Sequence, residues 1–94
     1  MITETLKNNT LFVSSTLDGP DGMEEVKAEL NAFVLASGLR FDINTIQNQV
    51  KDGGMYWYFR LWGRALTAYK NFKAVRKIEG TYAGIDHKLN TGGK

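Results

Sequence analysis

The stretch Met55-Tyr56-Trp57-Tyr58-Phe59-Arg60-Leu61-Trp62 decides how the rest of the chain is read. It holds both tryptophans, two of the four tyrosines and one of the five phenylalanines. In an extended segment, successive side chains point to opposite faces. Met55, Trp57, Phe59 and Leu61 then form a wholly apolar face, and Tyr56, Tyr58, Arg60 and Trp62 an aromatic face with one cation. A strand of this kind serves a core on one side and a partner or second packing layer on the other. A helical rival exists, because Met55, Tyr58, Phe59, Trp62, Leu66, Tyr69 and Phe72 also recur at helical spacing. That pattern would make residues 55–79 one long helix in an α-rich fold. Gly63 and the dense aromatics are mediocre helix formers, which favours the strand.

Working outward, Lys51-Asp52-Gly53-Gly54 reads as the hairpin turn leading into the aromatic strand. Before it, Leu39, Phe41 and Ile43 alternate with Arg40, Asp42 and Asn44, the pattern of a half-buried strand. The alternation slips at Ile46 and Val50, so either a bulge lies near Asn44-Thr45 or residues 45–50 form a short helix capped by Asn44. Further upstream, Met23, Val26, Leu30, Phe33 and Val34 lie on one helical stripe. Asp21 with Glu24 fits a capping box, and Gly38 a left-handed terminator. Glu24, Glu25 and Glu29 read as solvated partners of the helix dipole. Asp18 to Gly22, with the lone Pro20, reads as a turn, and Thr10 to Leu17 as a strand.

After the aromatic block, Ala65 to Glu79 reads as a helix. Ala65, Ala68, Tyr69, Phe72 and Val75 lie on one side of it, and Arg64, Thr67, Lys70, Lys73 and Lys77 on the other. Gly80 would end it and Thr81 to Leu89 would form a last strand, with residues 1–9 and 90–94 flexible. The resulting order, β-α-β-β-α-β, is the ferredoxin-like arrangement. It predicts one α+β domain over residues 1–94, with a four-stranded antiparallel sheet, two helices on one face and the other face open.

Composition narrows the function classes. At 94 residues with 43% apolar content the chain can build one modest core. The absence of cysteine removes disulfides, thiolate ligands and thiol nucleophiles. The longest apolar runs, Ala32 to Ala36 and Met55 to Phe59, are too short to span a bilayer, and Met1 to Thr10 has no signal-peptide pattern. A cytoplasmic protein is the expectation, and the Asn8-Asn9-Thr10 sequon is read as chance. Charge is uneven: residues 1–54 carry four Lys/Arg against eight Asp/Glu, residues 55–94 eight against two. The basic second half would meet a polyanion, or else the acidic first half within the fold or across a dimer.

Catalytic readings find little purchase. His87 is the lone histidine, and its neighbour Asp86 would point to the opposite face of a strand. Asp18 and Asp21 lack the oxygen-ligand spacing of a calcium loop, and the glycines form no phosphate-binding signature. The expectation is a non-enzymatic domain without metal or cofactor. On an open sheet face, Tyr56, Tyr58 and Trp62 would stack the bases of a single-stranded nucleic acid, RNA first among them. Arg60, Arg64, Lys51, Lys70, Lys73 and Lys77 would meet its phosphates.

Two resemblances bear on this reading. Leu11-Phe12-Val13 resembles the opening of the first-strand signature of RNA-recognition motifs. Lys51 to Trp62 loosely resembles their third-strand signature but lacks its Gly-aromatic-Gly/Ala-aromatic spacing. Separately, Gly38-Leu39-Arg40-Phe41 with Tyr58-Phe59-Arg60-Leu61-Trp62 before a helix resembles the dimeric α+β barrels of the antibiotic-biosynthesis-monooxygenase type. There two open sheets pack face to face around a small-molecule pocket. The resemblance implies a homodimer with the aromatic face inside, as packing or as a pocket, and carries no catalytic residue. A protein-partner module, such as a small inhibitor or adaptor with an acidic protein surface as its target, belongs to the same alternative.

Overall fold

A computed structural model describes the backbone of residues 1–89 and the side chains of residues 1–42 and 44–77. Four strands, β1 (Ile2–Lys7), β2 (Thr10–Ser15), β3 (Gln47–Lys51) and β4 (Gly54–Leu61), and two helices, α1 (Gly19–Ser37) and α2 (Gly63–Leu89), make up the fold. A short 3-10 turn at Ile43–Thr45 precedes β3. The strands form one antiparallel sheet in the order β1-β2-β4-β3. The α+β class, with two helices and four antiparallel strands in a ferredoxin-like sheet, is as the sequence predicts.

The path of the chain through that sheet differs from expectation. Elements run β-β-α-β-β-α, which is β-α-β-β-α-β with its final edge strand moved to the start of the chain. Residues 2–7, expected to be flexible, are that edge strand. They pair with β2 from Ile2↔Ser15 to Lys7↔Thr10. The two-residue turn Asn8-Asn9, with φ of 52° and 63°, has the left-handed geometry that matches the twist of a hairpin. The sheet edge is thus filled from the N-terminus. Residues 81–89, expected to be a strand, continue α2 through Gly80, and residues 90–94 lie outside the described residues.

Residues 55–79 are a strand and then a helix, as expected, and not the one long helix of the rival reading. Two local expectations are corrected. Ile43 already belongs to the 3-10 turn, and Leu39 to Asp42 is not a strand but a crossing segment. Leu39 and Phe41 pack on the core from it, and Asp42, not Asn44, caps the following turn by accepting from the Asn44 amide at 3.0 Å. Helix α1 begins earlier than predicted, with Asp18 at its N-cap and Pro20 in the first turn, where its fixed φ and missing N–H cost nothing. Gly38, at φ 75°, terminates α1 as expected, its amide donating to Val34 O.

The core lies between the helices and one sheet face. Leu11 and Val13 of β2 and Phe59 and Leu61 of β4 meet Val26, Leu30 and Phe33 of α1 and Tyr69 of α2. The registers Leu11↔Leu61 and Val13↔Phe59 place these strand residues side by side. Tyr69 packs edge-on against Phe33 and Phe59, with centroids 5.2 and 6.3 Å apart. Val75, expected on the apolar side of α2, is 52% exposed.

Candidate functional site

With odd-numbered residues of β2 and β4 turned to the helices, the even-numbered ones form the second face. Phe12 and Ser14 of β2 lie beside Arg60 and Tyr58 of β4. Gln47 and Gln49 of β3 lie opposite Tyr58 and Tyr56, and Lys51 ends that row. Thr3, Thr5 and Lys7 of β1 complete the surface. The β1 and β3 positions are chiefly Thr, Gln and Lys, which solvate an open face, while the two central strands carry the rings. No described helix covers this face: Phe12, Tyr56 and Tyr58 are half-buried, and Arg60 is exposed.

The rings are held in place by short-range contacts. Phe12 and Tyr58 pack with centroids 6.0 Å apart, tilted by 44°. The Tyr58 hydroxyl donates to Gln47 Oε1 at 3.2 Å, and Thr3 and Ser14 share a hydrogen bond at 3.0 Å. A groove of about 390 Å³ runs over this end of the sheet, with Phe12, Gln49, Lys51, Tyr56 and Tyr58 in its wall. The strand residues of the open face include Lys7, Lys51 and Arg60 and no carboxylate. Asp52, in the β3–β4 turn, and Asp42, before the 3-10 turn, flank it at its two ends.

Tyr56, Tyr58 and Arg60 therefore share one open surface, and Trp62, 61% exposed, continues it beyond the end of β4. The helix cations do not join them. Arg64, Lys70, Lys73 and Lys77 sit on α2, which packs against the opposite face of the sheet through Tyr69 and Phe59. Arg64 and Lys70 are exposed there. Lys73, expected to face solvent, turns inward: its ammonium lies 3.3 Å from Glu29 and 3.8 Å from Glu4.

Glu29, expected to be a solvated partner of the helix dipole, is the buried centre of this second cluster, at 6% exposure. Arg76 donates to its Oε1 at 2.9 Å and the Tyr69 hydroxyl to its Oε2 at 2.7 Å. Burial opposes ionisation of Glu29. The hydrogen bonds from Arg76 and Tyr69 and the charges of Lys73 and Arg76 outweigh it, holding the carboxyl below its ordinary range. The same arrangement pushes the Tyr69 hydroxyl up, first through burial and then through its bond to the Glu29 carboxylate. Arg76 also stacks over Phe72, 4.3 Å from the ring centroid. These are links between α1, α2 and β1, and they use basic side chains of the second half to neutralise acids of the first. Glu25, likewise expected to be solvated, accepts from Ser15 Oγ and pairs with the Met1 ammonium at 2.7 Å, tying α1 to the first hairpin.

Phe12 is the principal site residue that the sequence-derived set omits, although its alternation with Leu11 and Val13 already put it on the other face of β2. Lys7, Gln47 and Gln49 left no comparable signal, because the strands that carry them are short and polar. The side chains of Asp86 and His87 lie outside those described. No described helix is long and apolar enough to cross a membrane. No protein-family model, curated protein or solved structure matches the chain.

Proposed function

We propose that the open sheet face binds single-stranded nucleic acid, RNA in preference to DNA, without catalysing a reaction on it. One observation carries the reading: Phe12, Tyr56 and Tyr58 lie together on the two central strands of a face that no described helix covers, and its strand cations, Lys7, Lys51 and Arg60, share the face with no carboxylate of the four strands. Every base has a π-face, so such rings bind without strict sequence demand, at about 1–3 kcal/mol per stacked base. The hydroxyl and amide groups of Thr3, Ser14, Gln47 and Gln49 suit the ribose 2′-hydroxyl and base edges.

Fluorescence anisotropy with labelled single-stranded RNA and DNA of matched sequence, at low and at physiological salt, tests the proposal. The expected outcome is saturable, salt-sensitive binding, tighter for RNA, that Phe12→Ala with Tyr58→Ala weakens at least tenfold while the far-UV spectrum is unchanged. An absence of binding at low salt, where the polyanion term is largest, would remove this reading. A light-scattering mass of two chains, with the tryptophans shielded from quencher, would turn attention to the dimer.

A further inference from the structure

We infer that the ligand of the open face spans at least four nucleotides, with Trp62 stacking a terminal base beyond the reach of Phe12, Tyr56 and Tyr58. The inference rests on the nucleic-acid reading above and specifies the length and course of its ligand.

A second groove, of about 440 Å³, lies where β4 meets the 3-10 turn and the start of α2, and Trp62 and Phe41 are in its wall. Gln47 and Arg60 belong both to this groove and to the sheet face, and they neighbour Tyr58 of the first groove, so the two grooves lie in succession along β4. The Tyr58 hydroxyl, from the wall of the first, donates to Gln47 in the wall of the second. The track from Tyr56 to Trp62 covers six residue steps of an extended chain, about 20 Å, which suits roughly four nucleotides, the lower end of single-strand sites on small β domains.

Trp62 is unusual in its own right. It presents one of the largest apolar side chains to solvent at 61% exposure, directly after a strand whose Phe59 and Leu61 are buried. The chain turns from β4 into α2 through Gly63 at φ 57°, and the indole stays outside the core. A core role is therefore excluded for this ring. Chemistry also orients the ligand within the groove. The Asp42 carboxylate stands in its wall, where its Oδ1 accepts from the Asn44 amide, and it disfavours a phosphate there. The base enters beside Trp62, and its phosphate lies back over the sheet near Arg60.

The test uses fluorescein-labelled oligouridylates of two, four and six nucleotides with the parent protein, Trp62→Ala, Trp62→Phe and Phe12→Ala, each checked for an unchanged far-UV spectrum. The parent is expected to gain at least tenfold in affinity from two nucleotides to four. Trp62→Ala should lose about five- to a hundredfold on four and six nucleotides and nothing on two. Trp62→Phe should retain most of the gain, and Phe12→Ala should weaken every length. In a Trp57→Phe background, where Trp62 is the only fluorophore of its kind, four nucleotides should quench emission and two should not. Equal affinity of the parent for two and four nucleotides overturns the inference while leaving the binding face intact. So does a loss in Trp62→Ala that is the same at every length. Failure of the parent to bind any of the three removes both readings.

Discussion

At the scale of single residues, Glu29 shows how a charge survives in a small core. Its two oxygens are taken by Arg76 and Tyr69, with Lys73 beside them. Glu29→Ala would leave Arg76 and the Tyr69 hydroxyl without this acceptor, and Lys73 with Glu4 alone of its two carboxylates. Breaking a sealed buried pair costs about 3–5 kcal/mol. Arg76 and Lys73 reach solvent, so a loss of about 2–3 kcal/mol is expected in urea denaturation. The pH dependence follows from the lowered carboxyl. A depressed folded-state pKa means that the stabilisation is full above the ordinary value of 4.5 and drains as pH falls below it. Unfolding free energy should therefore drop on acidification from pH 5 towards pH 3, and Glu29→Gln should flatten that drop. Gly22 makes a different demand, because a Cβ there would lie 2.1 Å from the Leu17 carbonyl oxygen, a backbone atom that cannot swing aside. Gly22→Ala is expected to cost about 2 kcal/mol and to lower the melting midpoint by about 10 °C.

At the scale of elements, the first hairpin is the least advertised part of the fold and the most informative. Strand β1 has Glu4 on the core-facing parity and only Ile2 and Leu6 as apolar companions, so the usual hydrophobic alternation is diluted. It is held by its ladder to β2 and by the Lys73–Glu4 contact with α2. The Asn8-Asn9 turn places two non-glycine residues at positive φ, which costs conformational energy that glycine avoids. Asn9→Gly is expected to stabilise the protein by about 0.5 kcal/mol in thermal or urea unfolding. A flexible N-terminus would make the same substitution neutral, so the measurement checks the pairing of β1 directly. Helix α2 teaches the complementary point. Gly80, a plausible stop, costs only about 1 kcal/mol inside a helix, and the chain continues helical to Leu89.

At the scale of the whole molecule, the sheet separates two chemistries. The helix side pairs Lys73 and Arg76 with Glu29 and Glu4, and the open side presents rings and strand cations. Binding to the open side should therefore be sensitive to Lys7, Lys51 and Arg60 and insensitive to Lys70. Each phosphate contact on a single strand contributes about 0.7 to the slope of log affinity against log salt. Arg60→Ala is expected to reduce that slope by about 0.7, and Lys70→Ala to leave it unchanged, both read from anisotropy titrations at several salt concentrations. A slope that depends on Lys70 would place the polyanion on α2 and not on the sheet.

Much of this was legible in local pattern. The two-residue period of Met55 to Trp62 assigned its faces, and the helical stripe from Met23 to Val34 marked α1, because side-chain direction follows from backbone geometry within a few residues. The aromatic half of the site, Tyr56, Tyr58, Arg60 and Trp62, came with it. Tertiary structure alone decided where the chain's edge strand comes from, that Phe12 stands beside Tyr58, and that Lys73 turns from solvent to Glu29, 44 positions away. These depend on which distant segments meet. A short polar strand or a single lysine gains its place from its partner, and the identity of that partner is not encoded in its own neighbourhood.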